Sequence, residues 1–107
     1  MKFLIELTTT PQGAAGILQN PEDRSKALEP IFKAAGCKLE QYYFSLLGNK
    51  VYLIADAPDL DTLYPINVVT QAGGAVSSID AVPIMTASEA VESFKNAASI
   101  VYQPPGK

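Results

Sequence analysis

The sequence predicts an α+β domain built on a single four-stranded antiparallel sheet. Strand-like and helix-like segments follow one another in the order β-α-β-β-α-β, with one more helix at the end, and this order is typical of helices laid on one face of such a sheet. The clearest segment runs from Cys37 to Ala57, where two alternating stretches flank Gly48-Asn49 and predict a hairpin.

The first strand is predicted over residues 2–9, where β-forming apolar residues alternate as in a strand nearly buried on both faces. Thr10-Pro11 then predicts a short irregular or helical piece of one or two turns. Gly13 and Gly16 are expected to interrupt it, because glycine weakens a helix interior.

A longer helix is predicted from Asn20 to Ala35. Asn20 fits an N-cap and Pro21 the first helical position, and apolar residues recur at helical spacing until Gly36 ends the pattern. Pro30 lies inside this helix, where its ring removes one backbone hydrogen bond and crowds the preceding turn. We therefore expect a kink or a break at Pro30.

The hairpin is predicted from strands at 38–47 and 50–57, joined by Gly48-Asn49, since both residues tolerate the positive φ of a two-residue turn. In that register Leu47 faces Lys50, and directly opposed residues share a face of the sheet. One apolar side, expected to carry the helices, holds Tyr42, Phe44, Leu46, Val51, Leu53 and Ala55. The other side holds Tyr43, Ser45, Lys50, Tyr52, Ile54 and Asp56.

A second long helix is predicted from Asp59 or Asp61 to Ala72, closed by Gly73-Gly74. Pro65 is tolerated only within the first turn of a helix, and this favours Asp61 as the N-cap.

The last strand is predicted over residues 75–85, and Pro83 places it at an edge of the sheet because proline cannot donate to a central ladder. Thr86 and Glu89 form a capping-box pattern that opens a third helix. The segment after Ser99 is apolar and then proline-rich, and we expect it to be loose unless a partner holds it.

These elements form the ferredoxin-like, or split βαβ, arrangement, which leaves one face of the sheet bare. We expect a single domain over residues 1–99 and a tail over residues 100–107. The bare face is apolar and aromatic enough to predict that two copies of the chain pack sheet against sheet. Its predicted interface residues are Tyr43, Ser45, Tyr52 and Ile54.

Composition excludes several classes of function. Of the 107 residues 48% are hydrophobic and 18% charged, against about a quarter charged in a typical domain, and this also favours an oligomer. The chain has no histidine, so serine-histidine and cysteine-histidine catalysis and the common zinc sites are excluded, and we predict neither metal nor cofactor. The net charge of −3 and the scattered Lys and Arg residues argue against nucleic-acid binding.

The chain is expected to be cytoplasmic, without a membrane span. It has no apolar run near the ~18 residues that a span requires, and its start, M-K-F-L-I-E-L-T-T, turns polar too early for a signal peptide. Cys37 is the only cysteine, which rules out an internal disulfide. It is interpreted as a small buried residue rather than a nucleophile.

Three stretches resemble the GYD-domain family of small bacterial and archaeal proteins. They are T-T-T-P-Q-G-A-A-G-I-L-Q-N-P-E-D-R after the first strand, L-L-G-N-K-V-Y-L-I-A-D-A-P-D in the hairpin, and G-G-A-V-S-S-I-D-A-V-P-I-M-T in the last strand. The resemblance implies a fold of the dimeric α+β-barrel group and leaves the chemistry open. The family's Gly-Tyr-Asp corresponds to Gly48-Asn49-Lys50, so a ligand role of that aspartate is not carried over.

Several side chains are candidates for a site, each with a structural alternative. Tyr52 and Asp56 are the candidate catalytic pair, with the carboxylate as general base, although tyrosines on a half-buried sheet are more often interface residues. The candidate ligand-binding residues are Tyr43, Asn49, Lys50, Tyr64, Asn67 and Gln71. Glu6 and Asp80 lie on strands that the fold makes neighbours, so their carboxylates are expected to converge, unless Asp80 is exposed at the edge.

Three hypotheses of function follow. The first is a homo-oligomer that binds a small molecule or serves as an assembly module, with itself as partner. The second is a cofactor-independent enzyme, of a monooxygenase or isomerase type, that uses Tyr52 and Asp56 near a helix-covered cleft. The third is a regulatory domain that senses a metabolite at the boundary between subunits. Fold analogy alone supports the last two.

Overall fold

The computed structural model describes residues 1–106, and Lys107, the last residue of the predicted tail, lies outside the described residues. Four strands and four α-helices follow one another: β1 (Lys2–Thr9), α1 (Pro11–Gln19), α2 (Arg24–Ala34), β2 (Lys38–Phe44), β3 (Lys50–Asp56), a 3₁₀ turn (Asp61–Leu63), α3 (Tyr64–Ala72), β4 (Val76–Ile84) and α4 (Ala87–Ala98).

The sheet has the strand order β2-β3-β1-β4 with every pair antiparallel. The predicted ferredoxin-like α+β fold is therefore confirmed, and β4 lies at an edge as Pro83 required. In the two middle strands, β3 and β1, every second side chain is buried, because successive side chains of a strand point to opposite faces. That buried side is called the inner face, and the opposite side the outer face.

The core lies between the inner face and two helices. The sheet contributes Phe3, Ile5, Leu7, Leu39, Val51, Leu53 and Ala55, and α2 and α3 add only Leu28, Phe32 and Ile66. Because the two helices bury so few side chains, they cover only part of the inner face.

The predicted hairpin register is wrong by two residues. Phe44 pairs with Val51 rather than Leu53, and β2 ends at Phe44, so residues 45–49 form a five-residue loop. Positive φ occurs only at glycines 36, 74 and 106 among the described residues, so Gly48-Asn49 is not the predicted two-residue turn. A slip of two keeps the residues that remain in the strands on their predicted faces, since strand faces alternate with period two. Leu46, predicted on the side that carries the helices, instead lies in the loop and is 97% exposed.

A β-bulge in β2 explains how both ends of that strand reach the core. The pairing shifts between Leu39, opposite Ala55, and Gln41, opposite Ile54. The extra residue reverses the parity of the strand, so Leu39 and Tyr42 both lie on the inner face.

The predicted start of the first long helix is wrong. Asp23, not Asn20, is the N-cap, and its carboxylate accepts hydrogen bonds from the Ser25 N–H at 3.0 Å and the Ser25 hydroxyl at 2.6 Å. Asn20 instead caps the end of α1, donating its N–H to the carbonyl of Gly16. The two helical pieces are separated by residues 21–23 without regular structure.

The predicted break at Pro30 is also wrong, because α2 runs continuously past it. Leu28 and Phe32 anchor the helix on the sheet on either side of Pro30. Pro30 is exposed, so its ring does not interfere with this packing. Proline has no N–H to donate to the carbonyl four residues earlier, but that carbonyl belongs to Lys26, which is also exposed.

Asp59 takes the capping role predicted for Asp61. Its carboxylate accepts hydrogen bonds from the Thr62 N–H at 2.9 Å and the Thr62 hydroxyl at 2.6 Å. Asp61 begins the 3₁₀ turn that leads into α3, and Pro65 falls in the first turn of that helix as expected. Gly74, with φ +82, closes the segment.

The capping box at Thr86 and Glu89 begins α4 as predicted. The helix does not pack against the sheet and buries none of its side chains. Every side chain of α4 except Ala90 is exposed, as are residues 99–106. The longest dimension is 59 Å and the radius of gyration 17.7 Å, against about 13 Å for a compact chain of this length. We call α4 and residues 99–106 the C-terminal arm.

Two of the stretches quoted above meet each other at the start of α1. The Thr10 hydroxyl donates to the carbonyl of Gly74 at 2.6 Å and accepts the N–H of Gly13 at 3.1 Å, while the Thr10 N–H donates to Ala75 O at 3.1 Å. A Cβ built on Gly13 would lie 2.8 Å from the Ala75 carbonyl oxygen. The glycine therefore permits α1 to contact the backbone that precedes β4.

This contact predicts opposite effects for two glycine-to-alanine changes in α1. Gly13→Ala is expected to destabilise the fold by about 1–3 kcal/mol, because the new methyl group overlaps backbone that has little room to move. Gly16→Ala is the matched control: a Cβ there meets nothing within 4 Å, so alanine is expected to stabilise by up to about 1 kcal/mol. Urea unfolding of both variants measures this. Equal midpoints would contradict the close contact.

Candidate functional site

The inner face that α2 and α3 leave uncovered forms a cleft of about 370 Å³. Its wall is mostly apolar and consists of Ile5, Leu7, Leu28, Phe32, Leu53, Leu60, Asp61, Leu63, Tyr64, Ile66, Asn67, Thr70, Ile79, Asp80 and Ala81. Several of these residues also belong to the core, so the floor of the cleft is held by the packing that stabilises the fold.

One side of the cleft carries polar groups at a regular spacing. Asp61, Tyr64, Asn67 and Thr70 follow one another at intervals of three along the 3₁₀ turn and α3. Residues three apart lie on the same side of a 3₁₀ turn and on neighbouring positions of an α-helix. The polar row therefore runs along one wall while the sheet supplies the opposite, apolar wall.

Hydrogen bonds within α3 occupy some polar atoms of this row and leave others free to contact a ligand. The Thr70 hydroxyl donates to the carbonyls of Ile66 at 2.8 Å and Asn67 at 3.1 Å. The Asn67 Oδ1 accepts a hydrogen bond from the side-chain amide of Gln71. Within residues 1–106, the Asp61 carboxylate has neither a hydrogen bond nor an ion pair.

The structure brings some of the predicted ligand-binding residues to this cleft. Tyr64 and Asn67 lie on its wall, and Gln71 lies one helical turn further on, bonded to Asn67. Sequence reasoning missed Asp61 and Thr70 as site residues. The three-residue spacing that links all four wall residues was the available signal.

Tyr52 and Asp56 are not near the helix-covered cleft, and that expectation is wrong. Both lie at even positions of β3, on the outer face, whereas the cleft is formed by its odd positions. Tyr43 pairs directly with Tyr52 on the same outer face. The candidates Tyr43, Tyr52, Tyr64 and Asp56 therefore do not line one site, because the sheet separates Tyr64 from the other three.

The outer face carries two rows of side chains that cross all four strands. One row is Gln41, Ile54, Leu4 and Val82, and the next is Tyr43, Tyr52, Glu6 and Asp80. Three of these are substantially exposed apolar or aromatic residues: Leu4 at 37%, Val82 at 53% and Tyr43 at 56%. Of the predicted interface residues, only Ser45 lies off these rows, in the loop after β2.

Glu6 and Asp80 lie directly opposite each other on β1 and β4, as their predicted convergence requires. Lys50 balances this acidic pair, because its Nζ lies 3.2 Å from Glu6 Oε1 and donates to the Thr8 hydroxyl at 2.7 Å. Lys50 is thus an ion-paired residue of β3. The backbone carbonyl of Asn49 accepts the Thr9 N–H at 2.8 Å.

A shallower hollow lies at the end of β3, where Asp56 and Cys37 are found together with Met1. The Asp56 carboxylate lies 2.9 Å from the Met1 amine, and the hydrogen bond and charge of that amine lower the pKa of the carboxyl group. A carboxylate held in this way is a weak base. Among residues 1–106, no three His, Cys, Asp or Glu side chains converge to hold a metal ion.

Comparison with known families gives a match over most of the chain. The model of the family described as GYD domain matches residues 3–93, which include β1 from its second residue, the other three strands, the first three helices and part of α4. No curated protein matches the sequence. Within residues 1–106, no helix has the length and hydropathy needed to cross a membrane.

The environment of Cys37 predicts an unreactive thiol. The residue is 8% exposed, and burial, followed by the charges of Asp59 and Asp56, raises the pKa of the thiol. At pH 8 the thiolate fraction is therefore smaller than in the unfolded chain, and we expect Ellman's reagent to label the native protein at least about tenfold more slowly than the urea-unfolded protein. Equal labelling rates would contradict the burial of Cys37.

Proposed function

The chain belongs to the GYD-domain family, and from this premise we propose that it is a self-associating protein that binds a small, largely apolar molecule in the cleft between its sheet and helices α2 and α3. The observation that carries the proposal is the cleft itself. Its volume of about 370 Å³ falls within the ~300–1,000 Å³ that is usual for small-molecule sites.

The lining of the cleft supports ligand binding. Ile5, Leu53 and Phe32 form an apolar floor from rigid core positions, each at most 3% exposed. The polar row from Asp61 to Thr70 lies at one side only. An apolar floor with a few polar groups on one wall is the usual composition of a site that holds an apolar body and orients one polar group.

The outer face supports self-association. Leu4, Ile54 and Val82 form an apolar row across the sheet, with Tyr43 and Tyr52 in the adjacent row. Apolar residues flanked by charged and aromatic ones are typical of the centre and rim of a protein interface. A second copy of the chain presents the same surface, so packing outer face against outer face buries both rows, in keeping with a fold of the dimeric α+β-barrel type.

The C-terminal arm offers further apolar surface to a second copy. Phe94 is 66% exposed, and Ile100, Val101 and Tyr102 in the following segment are also exposed. These side chains make no buried contact with the body of their own chain. In a self-associated protein these side chains have a second copy of the chain to pack against.

The geometry favours binding over the two alternatives. For the enzyme hypothesis, the candidates Tyr52 and Asp56 lie across the sheet from the cleft, and Asp56 is paired with the Met1 amine. For the metabolite-sensing hypothesis, the ligand must lie at the boundary between copies, whereas the cleft opens on the face opposite to the proposed contact.

Self-association predicts that a charge in the apolar row separates the copies. The wild-type chain of 11.4 kDa is expected to sediment at twice that mass or more at micromolar concentration. Val82→Lys is expected to shift the mass toward 11.4 kDa, because the interface would bury an unpaired ammonium group. Leu47→Lys is the control, since Leu47 is fully exposed in the loop away from both rows. A wild-type monomer would refute the self-association.

Ligand binding predicts that filling the cleft abolishes it. N-phenyl-1-naphthylamine, a neutral apolar fluorophore, is expected to bind saturably, at one site per chain. Ala81→Phe should remove this binding, because Ala81 lies on the cleft wall and a phenyl ring there occupies the space of the ligand.

Two further variants keep this test independent of folding. Leu60→Trp narrows the same cleft from a position that is 54% exposed, so it is expected to weaken binding while the core is unchanged. Ala15→Phe adds the same ring to an exposed position of α1 and should bind like the wild type. Circular dichroism verifies the fold of each variant. Unchanged binding in a folded Ala81→Phe would refute the cleft as the site.

A further inference from the structure

We infer that the ligand of the cleft is an amine: an apolar body that carries a positively charged, hydrogen-bond-donating head group. This inference rests on the proposed binding function and names the class of ligand. It follows from the charge and the hydrogen-bonding capacity of the polar wall, neither of which was needed to propose that the cleft binds a molecule.

The charge of the wall is negative. Among the described residues that line the cleft, none is Lys or Arg, and Asp61 stands at its polar side. Asp80 also lines the cleft, but it lies opposite Glu6 in the β1–β4 register. Its neighbours on β4, Ile79 and Ala81, are the residues that pack on the inner face. Alternation therefore assigns the side chain of Asp80 to the outer face, and the charge of the cleft rests on Asp61.

No basic side chain of residues 1–106 lines the cleft, and three of them are ion-paired elsewhere. Lys2 lies 2.7 Å from Glu40, Lys50 lies 3.2 Å from Glu6, and Arg24 pairs with its neighbour Glu22. An anionic head group would meet the Asp61 carboxylate without a compensating cation. Like charges in a partly enclosed site repel more strongly than in water, and opposite charges attract more strongly.

The hydrogen bonds of the wall favour a donor. The Thr70 hydroxyl donates its hydrogen to the carbonyls of Ile66 and Asn67, so towards a ligand it can only accept a hydrogen bond. The Asp61 carboxylate accepts and cannot donate. The Tyr64 hydroxyl can do either, and Asn67 retains its amide N–H groups because Gln71 occupies its oxygen. Asp61 and Thr70 can only accept from a ligand, Asn67 can only donate and Tyr64 can do either. The wall therefore offers more acceptors than donors, which suits a primary ammonium group.

Three compounds with one skeleton test the inference: 3-phenylpropylamine, 3-phenylpropan-1-ol and 3-phenylpropanoate. Each is titrated at pH 7 and low ionic strength against N-phenyl-1-naphthylamine bound to the full-length chain. The amine is expected to compete about twofold to fivefold more strongly than the alcohol, the range set by a partly exposed ion pair. The carboxylate is expected to compete least.

A matched pair of variants assigns the preference to Asp61. Asp61→Asn is expected to remove the advantage of the amine over the alcohol, measured as the ratio of their competition constants in the same variant. Glu92→Gln changes the net charge equally but lies in the exposed α4, so it should retain the wild-type order. Salt should reduce the preference in the wild type and not in Asp61→Asn.

The outcomes separate this inference from the proposed function. If the fluorophore does not bind, the binding function itself fails. If the fluorophore binds and none of the three compounds displaces it, the cleft stands as a binding site and the amine assignment is overturned. If the compounds compete but the carboxylate equals or exceeds the amine, or if Asp61→Asn keeps the wild-type order, the cleft stands as a binding site and the amine assignment is overturned.

Discussion

Two helices are too few to cover a four-stranded sheet on one face, and none covers it on the other. Leu28, Phe32 and Ile66 are the only side chains that α2 and α3 bury against the inner face. The cleft is the part of that face they leave open. On the outer face the apolar side chains of Leu4, Ile54 and Val82 form a row that no helix of residues 1–106 covers. Exposed apolar area of this kind favours association with ligands or with another copy of the chain.

The contact between α1 and the start of β4 has a mainly structural role. Thr10, Gly13, Gly74 and Ala75 satisfy one another's backbone groups and approach too closely for a side chain at Gly13. They belong to two of the stretches by which the sequence resembles its family. The residues of this contact therefore report on how the chain folds.

The sheet divides the chemistry of the protein between its faces. The inner side carries the polar row that begins at Asp61, while the outer side carries the tyrosines and the Glu6, Asp80 and Lys50 group. Residues that look alike in the sequence, such as Tyr52 and Tyr64, consequently serve different surfaces. An assignment of roles to tyrosines and carboxylates depends on knowing the face of each.

The sequence alone determined the order of elements, the parity of β1 and β3, the edge position of β4 and the capping box of α4. Each depends on residues close together in the chain, such as alternation along a strand or Thr86 beside Glu89. Only the tertiary structure decided the hairpin register, the continuity of α2 through Pro30, the exposure of α4 and the separation of Tyr52 from the cleft. These depend on contacts between distant segments, and a bulge in β2 or the anchoring of Leu28 and Phe32 outweighs the local preference.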